Sequence, residues 1–319
     1  MMKIFFIAPL SSTGGQTLVS KELLKYVSKK NKIIPIDLSL SSNHYGNFTI
    51  KRLIKVLNIF IKIFYCQRKV ERVYLTLSQS FLGNIKDLII FIILFKKIDK
   101  FILHLHGGAI GEKIFSKNKF LRVINFFFYK KVKKIIISGK SHNKIFPKYL
   151  YKKIKIIKNF APDEMFISHK NVESKFNNFS KIKILFLSNM MPEKGYLKLL
   201  EGFKLLNKKY KKKIVLDYAG QFYDQKLKEY FLEKIKNEEN IFYHGRVEEE
   251  LKKKLFSESH IFCLPTIFLE GQPISILEAY ASGNIVITTN KPGINDIFID
   301  EVNGFALKNL DSLHIKNKL

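Results

Sequence analysis

Two glutamates, Glu270 and Glu278, stand with seven residues between them in the stretch FLEGQPISILEAYASGNIVI, and Pro273 falls in the gap. Proline is favoured at the first helical position, where its missing N–H costs nothing, so the spacing predicts a helix from Pro273 to about Ala281, ended by Gly283. The apolar runs on either side, Ile261 to Thr266 and Asn284 to Thr289, read as strands. Strand, loop, helix and strand in that order build a parallel sheet, and the free backbone N–H groups of such a helix start draw an anion, commonly phosphate, to the sheet's rim. Glu278 then lies in the second turn of the helix and Glu270 just ahead of it. One carboxylate could hold a neutral polyol and the other stand near a reacting group; neither is suited to the phosphate itself. Without context, two glutamates so spaced are solvated loop and helix charges.

Here the context is specific. Glu270-x7-Glu278, with GQPISIL between and EAYASGNIVITTNKPGINDIF after, resembles the signature of the family-4 nucleotide-sugar glycosyltransferases of the GT-B fold. Spacing, helix start, following strand and a loop at Pro292-Gly293 all agree. The resemblance implies an α/β chain of two Rossmann-like domains facing across a cleft, and retaining transfer of a hexosyl group from a UDP- or GDP-linked sugar to an acceptor hydroxyl. It implies neither a metal nor a cofactor beyond the donor. It places Gly271, Gln272, Pro273, Ile274 and Ser275 around the donor, Glu278 on the ribose hydroxyls, and Glu270 near the anomeric carbon.

The elements that must position these residues alternate along the whole chain. Lys3 to Ala8 reads as a first strand, followed by a Ser/Thr/Gly loop from Leu10 to Gly15 and an amphipathic helix from Gln16 to Lys30. Backbone can approach a phosphate closely at such a loop, although Gly14-Gly15 without a third glycine is more often a plain turn. The resemblance sets Gly14 and Gly15 near the donor diphosphate and the acceptor. Further strands are expected at Lys32 to Asp37, Arg72 to Thr76, Phe101 to Leu105, Lys134 to Ser138 and Ile154 to Ile157, with helical patterns between most of them, as in a doubly wound domain whose sites gather at the strands' carboxyl ends. His104 and His106 end one such strand on the same face. They are structural and loop histidines, or two metal ligands lacking a third, or, as the resemblance implies for His106 followed by Gly107-Gly108, a contact to the donor sugar.

Asn159 to Lys181 is polar, contains Pro162 and keeps no period, so residues 161–180 read as a linker between domains at 1–160 and 181–319. The second domain opens with a strand from Ile182 to Ser188, the loop NMMPEKG and a helix from Tyr196 to about Lys209. Lys194 stands where an ammonium can neutralise charge developing on a phosphate, or is a solvated lysine. SNMMPEKG is similar to the family segment whose basic residues hold the donor pyrophosphate, with Asn189 where the family often has arginine. Gly220 and His244-Gly245-Arg246-Val247 resemble the nucleotide-base pocket, which assigns Arg246 and Val247 to the donor. Asp296 falls where the family often has a glutamate. Family members usually continue with further helices, so the chain reads as short at its C-terminus.

Composition sets the frame. A chain of 319 residues with 46% hydrophobic and 26% charged residues buries more than one core. A formal net charge of +29 favours anionic partners, namely nucleic acid, an anionic membrane or phosphorylated substrates, or follows from a compositional bias toward Lys, Ile, Asn and Phe. No nucleic-acid reading motif accompanies it, so no nucleic acid is expected. Two cysteines, Cys66 and Cys263, make no disulfide framework and suit a reducing cytosol. The nearest approach to a membrane span, Asp87 to Phe95, is stopped by Lys96-Lys97. Lys51 to Lys69 has apolar residues at helical spacing among cations, which fits a helix lying on an anionic bilayer or one packed on a sheet with its basic face in water. Phe120 to Lys134 repeats the theme.

The expected protein is a glycosyltransferase of surface polysaccharide or lipopolysaccharide assembly. It would take a nucleotide sugar and a glycan or lipid-linked acceptor, in the cytoplasm or peripherally on the inner face of the membrane. The alternatives are a non-catalytic or truncated remnant, a basic nucleic-acid or membrane-binding protein, and a GT-B epimerase that needs no acceptor.

Overall fold

The computed structural model describes residues 1–12, 14–39 and 50–319; Thr13, in the expected glycine loop, lies outside them. The chain forms two compact units, Met1–Lys158 with Leu269–Gln272, and Asn159–Phe268 with Pro273–Leu319.

The first unit runs β1 (Lys3–Ala8), α1 (Gly15–Ser28), β2 (Lys32–Asp37), α2 (Ile50–Cys66), β3 (Arg72–Thr76), α3 (Phe81–Ile93), β4 (Phe101–Leu105), α4 (Lys119–Lys131), β5 (Lys134–Ile137) and β6 (Ile154–Ile156), with 3₁₀ turns and a π turn (Gly111–Phe115) between. Its six strands form one sheet in the order β2-β1-β3-β4-β5-β6, each pair parallel. Side chains alternate across a strand, and the sequence uses both faces. Phe5, Ile7, Val73, Leu75, Leu103 and Leu105 meet Ile59, Ile63, Phe91 and Phe128 of α2, α3 and α4 on one face. Phe6, Ala8 and Tyr74 meet Leu23 and Leu24 of α1 on the other. Ser80 and Asn118 cap α3 and α4 by accepting from the amides of Gly83 and Leu121.

The second unit adds α5 (His169–Asn177), β7 (Ile182–Leu187), α6 (Tyr196–Lys204), α7 (Lys208–Lys211), β8 (Ile214–Ala219), α8 (Gln225–Ile235), β9 (Ile241–Tyr243), α9 (Glu249–Glu258), β10 (Ile261–Leu264), α10 (Ile274–Ala281), β11 (Ile285–Thr289), β12 (Gly304–Leu307) and α11 (Ser312–Lys318). The sheet order is β12-β11-β10-β7-β8-β9, again all parallel. Strand order reverses between β7 and β10, which opens a crevice at their carboxyl ends where open α/β sheets take their ligands. Rings of Phe186, Tyr196, Tyr218 and Phe231, all fully buried, pack mainly edge to face in the core beneath.

Four expectations need correction. Residues 161–180 are no linker: they belong to the second unit. Met165 enters its core, Ser168 caps α5, and the Lys175 ammonium donates to the Ser282 carbonyl at 2.6 Å. α5 buries none of its own residues fully, so its polar sequence shows no apolar period. Conversely, Leu269–Gln272, expected inside the second domain, groups with the first unit. The helix beginning at Tyr196 stops at Lys204, because Asn207 caps a separate single turn, α7. Pro273 is the residue before α10, with ψ at 117°, so helical geometry starts at Ile274.

Candidate active site

In the second unit the loops after β7, β8, β9 and β10 are laced into one rim. The Glu193 carbonyl accepts from the Ile267 amide at 2.8 Å and the Thr266 hydroxyl at 3.2 Å, tying the β7 loop to the β10 loop. Gly195 has φ +82°, and a Cβ there would lie 2.0 Å from the Pro265 carbonyl oxygen, so only glycine allows this approach. Lys194, just before it, holds its ammonium 4.7 Å above the Phe268 ring, an arrangement that aims the cation along the β10 loop. Gly220, at φ +151°, would likewise drive a Cβ to 1.7 Å from the Ser188 carbonyl oxygen. Its amide donates to the Gly245 carbonyl at 2.7 Å, and the Tyr243 hydroxyl donates to its own carbonyl at 2.8 Å. Asn189 lies half-buried in this rim. Arg246 is exposed and pairs with Glu248, while Val247 packs against the core.

Glu278 sits in α10 with its carboxylate buried, ion-paired to Lys252 of α9. Burial pushes its carboxyl up from the usual range, Lys252 pulls it back, and Glu164 pushes it up again. Glu278 is thereby a desolvated acceptor with one cationic partner, suited to neutral hydroxyls rather than to phosphate. Pro273, Ile274 and Ser275 form the helix start beside it, where the amides of Ile274 and Ser275 add partial positive charge.

The first unit gathers a different set at the carboxyl ends of its strands. His104 ends β4 with its Nδ1 2.6 Å from the Tyr74 hydroxyl of β3. The His106 ring lies against it, with centroids 3.8 Å apart and planes 30° from parallel. His106 is buried, and among the described residues neither of its ring nitrogens has a hydrogen-bond partner. Burial pushes His104 down from 6.5 to about 4 and His106 well below 6.5, the neighbouring His104 adding to the second shift. A neutral imidazole donates one hydrogen bond and accepts one, the capacity a sugar hydroxyl matches.

Glu270, Gly271 and Gln272 run alongside. A Cβ on Gly271 would stand 1.8 Å from the His106 carbonyl oxygen and 3.3 Å from the Ser138 hydroxyl, so this backbone contact requires glycine for space rather than for torsion. The Glu270 carbonyl accepts from His142 Nε2 at 3.1 Å, which fixes a proton on that nitrogen. Glu270 and Gln272 are both buried. Gly14 precedes α1 at φ +121° with open space where a Cβ would be, and Gly15 begins the helix. Beside them the Ser39 hydroxyl accepts from the amides of Leu10, Ser11 and Ser12 at 3.0, 3.0 and 2.9 Å. Burial alone would raise the Asp37 carboxyl, but hydrogen bonds from Ser11, Ser39 and Leu10 outweigh it and hold it at about 2.

The expected residues thus sort cleanly. Gly14, Gly15, His106, Glu270, Gly271 and Gln272 fall in the first unit, and Asn189, Lys194, Arg246, Val247, Pro273, Ile274, Ser275 and Glu278 in the second. Sequence reasoning missed Lys252, Tyr74, His142 and the Asp37–Ser39 pair. Asp37 ends an expected strand and so carried a signal, whereas Lys252 lies in the run LKKK, where no lysine stands out. Among the described residues no group of three His, Cys, Asp or Glu could hold a metal.

Residues 169–319 match the family model for glycosyl transferases group 1. An uncharacterized glycosyltransferase of Methanocaldococcus jannaschii is 27% identical over 214 residues, covering 67% of this chain and 51% of that protein, so the chain spans about half the length of this relative. HepE of Anabaena, solved in complex with UDP and glucose, superposes with a TM-score of 0.71 at 15% identity, covering 99% of this chain and 88% of that one. Sucrose-phosphate synthase of Thermosynechococcus elongatus gives 0.73 at 12% identity over 100% and 88% of the two chains. A glycosyltransferase of Rickettsia africae gives 0.70 at 19% identity over 99% and 86%.

Proposed function

Since the chain has the GT-B fold and its residues 169–319 match glycosyl transferases group 1, we propose that it moves a sugar from a nucleotide-linked donor to an acceptor hydroxyl, with retention of anomeric configuration. The observation that carries this is coincidence of place: the family match spans the rim that holds Lys194 and the α10 start. The donor is UDP- or GDP-linked. HepE, which shares the fold, binds UDP, glucose and UDP-glucose, and that supports the uridine form.

In this reading the departing diphosphate gathers negative charge near the Ile274 and Ser275 amides and the Lys194 ammonium. A positioned donor of that kind is worth about 10²–10³ in rate. Glu278, oriented by Lys252, takes the ribose hydroxyls, and because it serves ground and transition states alike its loss raises KM more than it lowers kcat. His106, as a neutral imidazole, contacts the sugar near its anomeric carbon, and so does the Glu270 side chain. No metal is required. The acceptor is a glycan or lipid-linked hydroxyl of surface polysaccharide or lipopolysaccharide assembly, met in the cytoplasm at the inner face of the membrane.

Saturation-transfer NMR with a panel of UDP- and GDP-sugars tests the donor. One nucleotide sugar is expected to bind, and Lys194→Ala to lower turnover by about 10²–10³ while leaving the fold intact. A folded sample that binds none of the panel would sink the reading. Donor binding with turnover in the absence of any acceptor other than water would point instead to an epimerase or a hydrolase.

A further inference from the structure

Away from its strand ends, the first unit presents a second surface. α2, α3 and α4 cover the same face of its sheet, since Ile59, Ile63, Phe91 and Phe128 share one core. α2 touches α3, and a buried pair of reciprocal amide bonds between Asn84 and Asn125, at 3.0 and 2.9 Å, joins α3 to α4. The outward sides of the three helices therefore make one continuous surface. On α2, Leu53, Leu57, Ile61 and Phe64 form a single exposed stripe at helical spacing, opposite the buried Ile59 and Ile63. On α4, Phe120 is 72% and Phe127 50% exposed.

The charges interleaved with these side chains have one sign. α2 carries Lys51, Arg52, Lys55 and Lys62, α4 carries Lys119, Arg122, Lys130 and Lys131, and neither helix contains an acidic residue. The single acid of α3, Asp87, is buried. Lys131 lies over the rings of Phe127 and Phe95, at 5.0 and 5.9 Å, so cation and aromatic present themselves together.

A helix that faces only water has no use for such a stripe. Nucleic acid would engage the cations but gain nothing from aliphatic side chains in a row. A second copy of the chain would set like charges face to face. An anionic bilayer satisfies both features, taking apolar side chains into the acyl boundary while ammonium groups stay at the headgroups. We propose that the α2–α3–α4 face docks on an anionic lipid bilayer, lying in the plane of the interface. None of the helices among the described residues is long and apolar enough to cross a membrane.

Only the purpose of this attachment, reach toward a lipid-linked acceptor, rests on the proposed transfer; lipid binding is measured with neither donor nor acceptor present. The full chain is floated with vesicles of phosphatidylcholine alone, or of phosphatidylcholine with about a third phosphatidylglycerol. Binding is expected only to the anionic vesicles and should weaken as salt rises. Leu57→Asp with Ile61→Asp, and separately Phe120→Ser with Lys130→Glu, should each cut the bound fraction about tenfold while circular dichroism and Tm stay as in the parent. Equal binding to both vesicle types, or none, would overturn the inference. So would variants that bind as well as the parent, variants that abolish binding to a generic single-stranded RNA but not to vesicles, or variants that only convert a dimer to monomer in sedimentation.

Discussion

At the scale of single residues, the buried histidines give the first unit a pH dependence of known sign. His104 titrates near 4 when folded and near 6.5 otherwise, so the unfolded chain binds more protons between those values. Stability is therefore complete above pH 6.5 and lost as pH falls toward 4, by on the order of 3 kcal/mol for His104 alone. Urea unfolding at a series of pH values checks this, and His104→Phe should flatten the slope. Gly271 yields a second expectation. Because a Cβ there would meet the His106 carbonyl oxygen at 1.8 Å, Gly271→Ala must displace backbone, destabilising by about 1–3 kcal/mol and, under the proposed function, lowering turnover as His106 moves. Gly14→Ala, with open space but φ at +121° and ψ at 169°, should cost about 1–3 kcal/mol from torsion alone and leave His106 where it is. Thermal melts together with the imidazole NMR signals separate the two. Of these residues, His106 and Gly271 could be picked out by type and neighbours. Tyr74, which holds His104, could not, since nothing in the sequence tells which tyrosine lies on the adjacent strand.

At the scale of elements, the pair between α9 and α10 is the informative joint. Glu278 is almost fully buried and Lys252 is its ionic partner, so Lys252→Met leaves a desolvated carboxylate alone. Removal of one partner from a buried pair costs about 3–5 kcal/mol; the lysine is only partly buried, so the lower end applies. Unpaired, the carboxyl moves further up, and the loss should shrink as pH falls and Glu278 protonates. Chemical unfolding of Lys252→Met at neutral and acidic pH measures both effects, and a loss independent of pH would contradict the pairing. The elements themselves were largely legible, because short strand-like runs of three to six residues alternate with helical spacing throughout the chain. α5 was not, and neither was the end of α6, since polar helices and side-chain caps leave no apolar period to read.

At the scale of the whole molecule, the buried side chains form cores that belong to separate units, one built on Phe91, Phe101 and Tyr129, the other on Phe186, Phe203 and Phe231. Scanning calorimetry should resolve two transitions. Phe91→Ala should lower one and Phe231→Ala the other, each truncation removing about 3–5 kcal/mol from its own unit. Under the proposed function, a bound nucleotide sugar raises the transition of the second unit more, by mass action on the state that binds it. A single transition shifted equally by both substitutions would show that the units do not unfold separately.

Residue order alone established that this is an α/β chain with two doubly wound sheets, that Glu270, Pro273 and Glu278 mark a strand-to-helix turn, and that the charge is strongly positive. Those are properties of local spacing and composition, and spacing survives without coordinates. Tertiary structure alone decided that 269–272 groups with the first unit, that Lys252 is the partner of Glu278, and that α2, α3 and α4 line up with their acid-free sides outward. Each of these joins residues far apart in the chain. Which distant residues meet is set by how sheets and helices pack, and periodicity along a single strand or helix carries no record of its neighbour.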